Sequence, residues 1–209
     1  DSRKSRGLGD VYKRQVIARR QILLVQVVKE ERGTKGAALT TYISIAGRYC
    51  VLMPNTPRGG GVSRKIANVT DRKRLKKVVD ELDVPTGMAV IVRTAGSKRT
   101  KTEIKRDYSN STSIWENVKN LTLESNAPFL IHEEGSLVKR AIRDLYHSDI
   151  DEVLVDGNEA YKTCKNYMKT LMPSHAKKVQ QYNDDKNPLF QKYKIDSQLH
   201  DIFNPKVTL

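Results

Sequence analysis

The chain has little cysteine and no long apolar run. Its two cysteines, Cys50 and Cys164, lie far apart and form no CxxC pair, which argues against a zinc site or a disulfide framework. No segment approaches the ~20 consecutive apolar residues of a membrane-spanning helix, and the N-terminus has no apolar signal-peptide core. These absences predict a protein without a membrane span, located in the cytoplasm.

Acidic residues are also scarce. The 209 residues include 38 Lys and Arg against 24 Asp and Glu, so the net charge is +14 and the pI is about 9.8. This balance favours a polyanionic partner such as RNA, DNA or an anionic membrane surface. The basic residues are spread over many segments, which argues against a membrane-surface helix and favours nucleic acid.

Patterns for catalysis or metal binding are weak. None of the four histidines has the i, i+4 spacing of a metal-binding pair, and Gly59–Gly61 lacks the Lys-Ser/Thr sequence that completes a P-loop. One acidic cluster flanks a predicted strand: Asp149, Asp151, Glu152 and Asp156. A polar strand-to-helix turn with Asn158 as a helix cap explains that cluster more simply. The sequence therefore predicts no catalytic and no metal-ligating residue.

The hydrophobic pattern predicts an α/β fold. Residues 1–15 resemble translated adapter sequence and are excluded from this interpretation. Short apolar runs predict strands at 21–28, 37–44, 49–53, 90–92, 129–131, 152–155, 178–182 and 206–209. Helical spacing of apolar residues predicts helices near 75–82, 100–123, 137–145, 159–171 and 196–203. Ser136 is a predicted N-cap.

Two features could bind an anion. In the segment MAVIVRTAG (88–96), a buried strand ends on Arg93 and Thr94, whose guanidinium and hydroxyl can both bond a phosphate. Residues 58–77 begin within a glycine-rich loop (55–65) and contain eight basic residues and one acid. A solvated arginine and a solvated helix face are the alternative interpretations, and the residues alone leave both open.

Longer segments show a family resemblance. The chain from about Val16 resembles the bacterial ribonuclease E/G family in KEERGTKGAALTTYISIAGRYCVLMPNTPRGGGVSRKI, GMAVIVRTAG, APFLIHEEGSLVKRAIRDL, DIDEVLVDG and PLFQKYKIDSQL. The segments RRQILLVQVVKEERG and LMPSHAKKVQ resemble alphaproteobacterial members. The resemblance implies three pieces: the end of an OB-fold barrel (16–41), a 5′-sensor region (42–138) and a partial, truncated RNase H-like β/α domain (139–209).

The resemblance also implies site residues. In the family, the sensor holds the 5′-monophosphate of single-stranded RNA. The matching positions are the side chains of Arg93 and Thr94 and the backbone around Gly47 and Val51. Further RNA contacts are implied at Lys35 in the OB-type segment and at Lys192, Tyr193 and Lys194 in the RNase H-like segment.

The resemblance places other functional parts outside the chain. In the family, the catalytic Mg²⁺ ligands and a cysteine pair that shares Zn²⁺ between subunits follow the region that ends here at Leu209. The expectation is therefore a 5′-monophosphate-sensing portion of an Mg-dependent endoribonuclease acting in RNA processing and decay. This portion would be inactive alone, and its parent would be a homo-oligomer. The alternative is a non-enzymatic basic RNA-binding or ribosome-associated module.

Overall fold

The structure is a computed structural model that describes residues 17–57, 60–184 and 186–203. The chain forms two compact units, the first ending at His132 and the second beginning at Glu133. The predicted adapter segment 1–15 and the predicted strand 206–209 lie outside the described residues. No helix in the described ranges is both long and apolar enough to cross a bilayer.

The first unit contains a small hairpin and a four-stranded sheet. The hairpin pairs β1 (Gln26–Lys29) with β2 (Ala38–Thr40) in antiparallel fashion. The sheet contains β3 (Ile45–Ala46), β4 (Cys50–Met53), β5 (Gly61–Val62) and β6 (Ala89–Val92) in the order β3-β4-β6-β5. Strand β4 pairs antiparallel with β6, whereas β5 pairs parallel with it. Strand β6 is therefore hydrogen-bonded on both sides.

Two helices complete the first unit: α1 (Val69–Asp80) and α2 (Lys101–Glu124). Helix α1 begins after Asn68, whose side-chain oxygen accepts hydrogen bonds from two first-turn N–H groups. Helix α2 begins with a capping box, in which Thr100 and Glu103 bond each other's backbone N–H. Because α1 connects two parallel strands, β5-α1-β6 is a crossover unit.

The core of the first unit lies between the sheet and these helices. Apolar side chains of β4 and β6 meet one side chain from each helix, and all are fully buried: Cys50, Leu52, Val90, Val92, Leu75 and Ile104. The single tryptophan, Trp115 of α2, packs against this cluster. Burial on this scale, at roughly 25 cal/mol per Å² of apolar surface, is the main source of the unit's stability.

The second unit repeats the β/α pattern. Its described residues form α3 (Leu137–Asp144), β7 (Val153–Asp156), α4 (Asn158–Leu171), a 3₁₀ helix (Pro173–Lys178), β8 (Val179–Tyr182), α5 (Leu189–Lys192) and α6 (Ile195–Ile202). Strands β7 and β8 are parallel, and α4 lies between them in the chain. A separate core gathers Ile142, Tyr146, Cys164, Met168 and Val179. The mixed helices and parallel strands confirm the predicted α/β class.

Two local predictions are wrong. Residues 129–131 form no strand, and Phe129 and Leu130 are exposed, because so short an apolar run specifies no pairing partner. The cap position of α4 is Gly157, at φ +87°, and Asn158 is the first helical residue. The predicted N-cap position of α3 is confirmed at Ser136, although the serine side chain makes no capping hydrogen bond.

Candidate functional site

Strand β6 delivers Arg93 to a fixed position. The strand ends at Val92, and a single 3₁₀ turn begins at Thr94. The backbone N–H of Arg93 donates to the carbonyl oxygen of Tyr49 at 2.8 Å, which extends the pairing with β4 by one residue. Arg93 therefore directly follows a strand that is hydrogen-bonded on both sides.

The Arg93 side chain is tied to the turn between β3 and β4. Its Nη1 donates to the carbonyl oxygen of Gly47 at 2.7 Å, and the residue is half-buried. Thr94 is exposed and directly follows. Val51 is half-buried on β4, opposite Ile91 of β6. The structure thus brings the predicted pair Arg93 and Gly47 into contact, with Val51 and Thr94 on the adjoining strand and turn.

A buried carboxylate organises the same turn. Asp107 of α2 is 4% exposed. Its Oδ1 accepts from the backbone N–H of Arg48 at 3.0 Å, and its Oδ2 accepts from those of Tyr49 at 2.8 Å and Cys50 at 2.9 Å. Three consecutive N–H groups therefore converge on one charged acceptor. Hydrogen bonds of this type are stronger than neutral ones and fix the path of the turn.

Gly47 has no room for a side chain. A Cβ built there would lie 2.8 Å from the carbonyl oxygen of Cys50 and would also clash with the Asp107 carboxylate. The N–H of Gly47 donates to that same Cys50 carbonyl at 2.8 Å. Because the turn closes this tightly, the Gly47 carbonyl is held where Arg93 reaches it.

The surroundings of the turn are rich in guanidinium groups. Those of Arg48 and Arg99 lie 5.4 Å and 5.6 Å from the centre of the Tyr49 ring, within cation–π range. Burial, reinforced by the charge of Asp107, raises the pKa of the Cys50 thiol well above its usual range, while Arg93 acts in the opposite sense. Cys50 is therefore a protonated core residue and not a nucleophile.

The other predicted RNA-contacting residues lie elsewhere. Lys35 is exposed in the β1–β2 hairpin, in a turn closed by mutual backbone hydrogen bonds with Arg32. Three exposed residues of the second unit end α5 and lead into α6: Lys192 is the last residue of α5, and Tyr193 and Lys194 connect the two helices. The Nζ of Lys192 lies 3.7 Å from the Oδ2 of Asp184.

Sequence reasoning missed Asp107. The residue falls on the buried stripe of α2 that also contains Ile104, Ser111 and Val118. The sequence did contain a signal, since Asp107 stands at a position where the helical pattern predicts a buried side chain. A buried carboxylate needs hydrogen-bond donors, so the pattern indicated that such donors exist. Its donors lie almost 60 positions earlier in the chain, so the spacing could indicate a need for partners but not their identity.

The geometry suits binding of an anion. It offers a half-buried arginine in a fixed orientation and an exposed hydroxyl beside it. Within residues 17–57, 60–184 and 186–203, no group of three or more His, Cys, Asp or Glu side chains is placed to hold a metal ion. The described residues therefore offer no ligand set for the Mg²⁺ or Zn²⁺ of the resembled family.

Comparisons with known proteins agree with the resemblance. The chain is 43% identical over 196 residues to ribonuclease E of Haemophilus influenzae, covering 94% of this chain and 21% of that protein. It is 42% identical over 195 residues to ribonuclease E of Escherichia coli, covering 93% of the chain and 18% of that protein. Ribonuclease G of Escherichia coli is 30% identical over 195 residues, 93% of the chain and 39% of that protein.

The chain thus spans about a fifth of the length of the two ribonuclease E relatives. A family model described as "Ribonuclease E/G family" matches residues 44–209, which include the turn at Gly47, strand β6 and the whole second unit. With this match over most of its length, the chain belongs to the ribonuclease E/G family.

Proposed function

We propose that this chain recognises the 5′-monophosphate end of single-stranded RNA, as part of a longer endoribonuclease that acts in RNA processing. The relatives are named ribonuclease E and ribonuclease G, which supports RNA as the partner. The net charge of +14 supports a polyanionic ligand independently of those names.

The observation that carries the proposal is the hydrogen bond from Arg93 to the Gly47 carbonyl. It orients a planar guanidinium, the side-chain group whose geometry matches two phosphate oxygens best. The Thr94 hydroxyl, on the next residue, can supply a third bond. A terminal monophosphate has about −1.5 to −2 charges at neutral pH, whereas an internal phosphodiester has one. A charged, directional site therefore favours the terminal group.

The remaining assignments belong to the same proposal. Lys35 and the Lys192–Lys194 segment act as further RNA contacts, and the backbone around Val51 lines the phosphate site. In the same proposal, Mg²⁺, Zn²⁺ and the groups that cut RNA belong to other parts of the longer protein. The chain itself would then bind RNA without cleaving it, and the longer protein would be a homo-oligomer.

The test compares three RNAs that differ at the 5′ end. Fluorescence anisotropy would measure the Kd of one single-stranded 10-mer with a 5′-monophosphate, a hydroxyl or a triphosphate. The unmodified chain should prefer the monophosphate by about tenfold, corresponding to one charge-assisted contact of about 1.4 kcal/mol. Arg93→Ala should remove this preference. Arg93→Lys should restore little of it, because an ammonium cannot make two parallel bonds.

Arg140→Ala is the matched control, since it removes the same charge from an exposed helix position in the second unit. This variant should bind all three RNAs slightly more weakly and should keep the preference for the 5′-monophosphate. Equal affinity of the unmodified chain for the three RNAs would refute the proposal. So would a monophosphate preference that survives Arg93→Ala.

A non-enzymatic basic RNA-binding module is the second candidate. The exposed basic residues Lys73, Arg74, Lys76 and Lys77 on α1 favour it. Such a module would be indifferent to the 5′ end and would lose affinity steeply with salt. The same titration, repeated at two salt concentrations, separates the two functions.

A further inference from the structure

A second cationic feature lies beside strand β5 in the first unit. A cavity of about 580 Å³, widely open to solvent, is lined by residues of β5 and α1, and its volume is within the range of small-ligand sites. Its lining combines glycine backbone, two valines of α1 and charged side chains: Gly60, Gly61, Val62, Val69, Arg72, Lys73, Lys76, Val79 and Asp80. Neither Arg93 nor Gly47 is among them.

Two glycines, Gly60 and Gly61, line part of the cavity with backbone atoms alone. A Cβ at Gly60 would lie 3.2 Å from the carbonyl oxygen of Val90, so this residue packs closely on β6. Gly61 has φ +135°, and a Cβ there would meet nothing within 4 Å. The glycines therefore hold the strand against the sheet and leave its outer side accessible to a ligand.

Charge in the cavity is mainly positive. Lys73 and Lys76 are exposed. Arg72 is half-buried, and its Nη1 donates to the carbonyl oxygens of Ser63 at 2.7 Å and Ile66 at 3.1 Å. Asp80 is the one acidic lining residue. Arg72 therefore fixes the segment between β5 and α1 through these two hydrogen bonds, while the two exposed lysine side chains can move toward a ligand.

The sheet places this cavity next to the Arg93 site. Val62 pairs with Val92 in the parallel β5–β6 ladder, and the N–H of Ser63 donates to the Val92 carbonyl at 2.9 Å. Neighbouring strands are about 4.8 Å apart. Because Arg93 directly follows Val92, the cavity lies one strand away from the arginine, on the side opposite β4.

We infer that this cavity binds the sugar–phosphate backbone of RNA close to the end that Arg93 holds. The lysines would contact phosphate oxygens, and the two valines would contact the sugar. The contact would be independent of sequence and of the 5′ end. The identity of the polyanion rests on the proposed function, whereas the location of the contact rests on the cavity itself.

The test compares two adjacent lysines of α1. Lys76 lines the cavity, whereas Lys77 is exposed on the same helix but lies outside the lining. Consecutive helical residues point about 100° apart, so Lys76→Glu and Lys77→Glu make the same charge change in different directions. Anisotropy with the 10-mer should show about three- to tenfold weaker binding for Lys76→Glu, for the 5′-phosphate and 5′-hydroxyl forms alike.

Two further measurements sharpen the test. Lys76→Glu should reduce the slope of log Kobs against log [salt] by about 0.7, the value for one phosphate contact on a single strand. Lys77→Glu should change affinity less than twofold. Asp80→Asn should tighten binding about twofold or more, because it removes the one negative charge from the lining.

The outcomes separate this inference from the proposed function. Equal losses for the two lysine variants, or an Asp80→Asn variant with unchanged affinity, would overturn the cavity assignment. The unmodified chain could bind the three RNA ends equally while Lys76→Glu still weakens binding more than Lys77→Glu. That result would refute end recognition by Arg93 and would support the cavity contact. Absence of any RNA binding at 50 mM salt would overturn both.

Discussion

Replacing Asp107 by Asn tests whether the carboxylate holds the turn at Gly47. The carboxylate accepts three backbone N–H bonds, at 3.0, 2.8 and 2.9 Å. An amide has one acceptor oxygen. If that oxygen faces the N–H groups of Tyr49 and Cys50, the amide NH₂ faces the N–H of Arg48, and two donors oppose each other.

The expected loss follows from these contacts. A net contribution of about 1.5–3 kcal/mol applies to a bond with a charged acceptor and about 0.5–1.5 kcal/mol to a neutral one. One bond is lost and two are weakened, while burial of a neutral amide costs less than burial of a carboxylate. We expect the free energy of unfolding of the first unit to fall by about 3 kcal/mol.

Urea denaturation followed by Trp115 fluorescence measures this loss, because the single tryptophan packs in the first unit. With a slope of about 2 kcal/mol/M, the midpoint should fall by about 1.5 M. Glu116→Gln is the control: this exposed carboxylate of α2 is paired 2.8 Å from Lys119, and its loss should stay within about 0.5 kcal/mol. Equal midpoints for the two variants would refute the role given to Asp107.

Two more outcomes are expected. Gly47→Ala should destabilise the first unit by about 1–3 kcal/mol, because its Cβ meets the Cys50 carbonyl oxygen; Gly36→Ala, where a Cβ meets nothing within 4 Å, should not, and urea midpoints compare them. The Glu103 pKa is lowered: burial raises it, but hydrogen bonds from Thr100 and nearby arginines outweigh that effect. Ionised Glu103 should therefore stabilise the folded state above pH ~4.3, and this contribution to the free energy of unfolding should be lost as the pH falls through the lower folded pKa.

For each of these two predictions, a specific result would contradict the reasoning. A Gly47→Ala variant as stable as Gly36→Ala would mean that the turn is looser than the structure indicates. For the pH effect, Glu103→Gln keeps a capping side chain but removes the titration. The difference in urea midpoint between Glu103→Gln and the unmodified chain should therefore change with pH below about 4.3. A constant difference would contradict the assigned role of the carboxylate.

The sequence predicted what local pattern and segment resemblance can encode. Helix α2 was expected at 100–123 and occupies Lys101–Glu124, because its apolar spacing and its cap are both local. The adjacency of Arg93 and Gly47 required the family resemblance, since a 46-residue separation has no local signature. Asp107 escaped because the N–H groups that stabilise it belong to a distant turn. The basic segment 58–77 was predicted as a possible anion-binding feature, but the cavity beside α1 could not be predicted, because its shape depends on the pairing of β5 with β6.

The bond between Arg93 and the Gly47 carbonyl has a consequence for affinity. Immobilising a long side chain on binding costs about 0.5–1.5 kcal/mol of rotamer entropy. In this chain that ordering already occurs on folding, since the guanidinium is hydrogen-bonded at 2.7 Å before a ligand arrives. The site is thus preorganised, and we expect ligand dissociation to be slowed more than association is accelerated. Any substitution that loosens the turn would forfeit this advantage without touching the arginine.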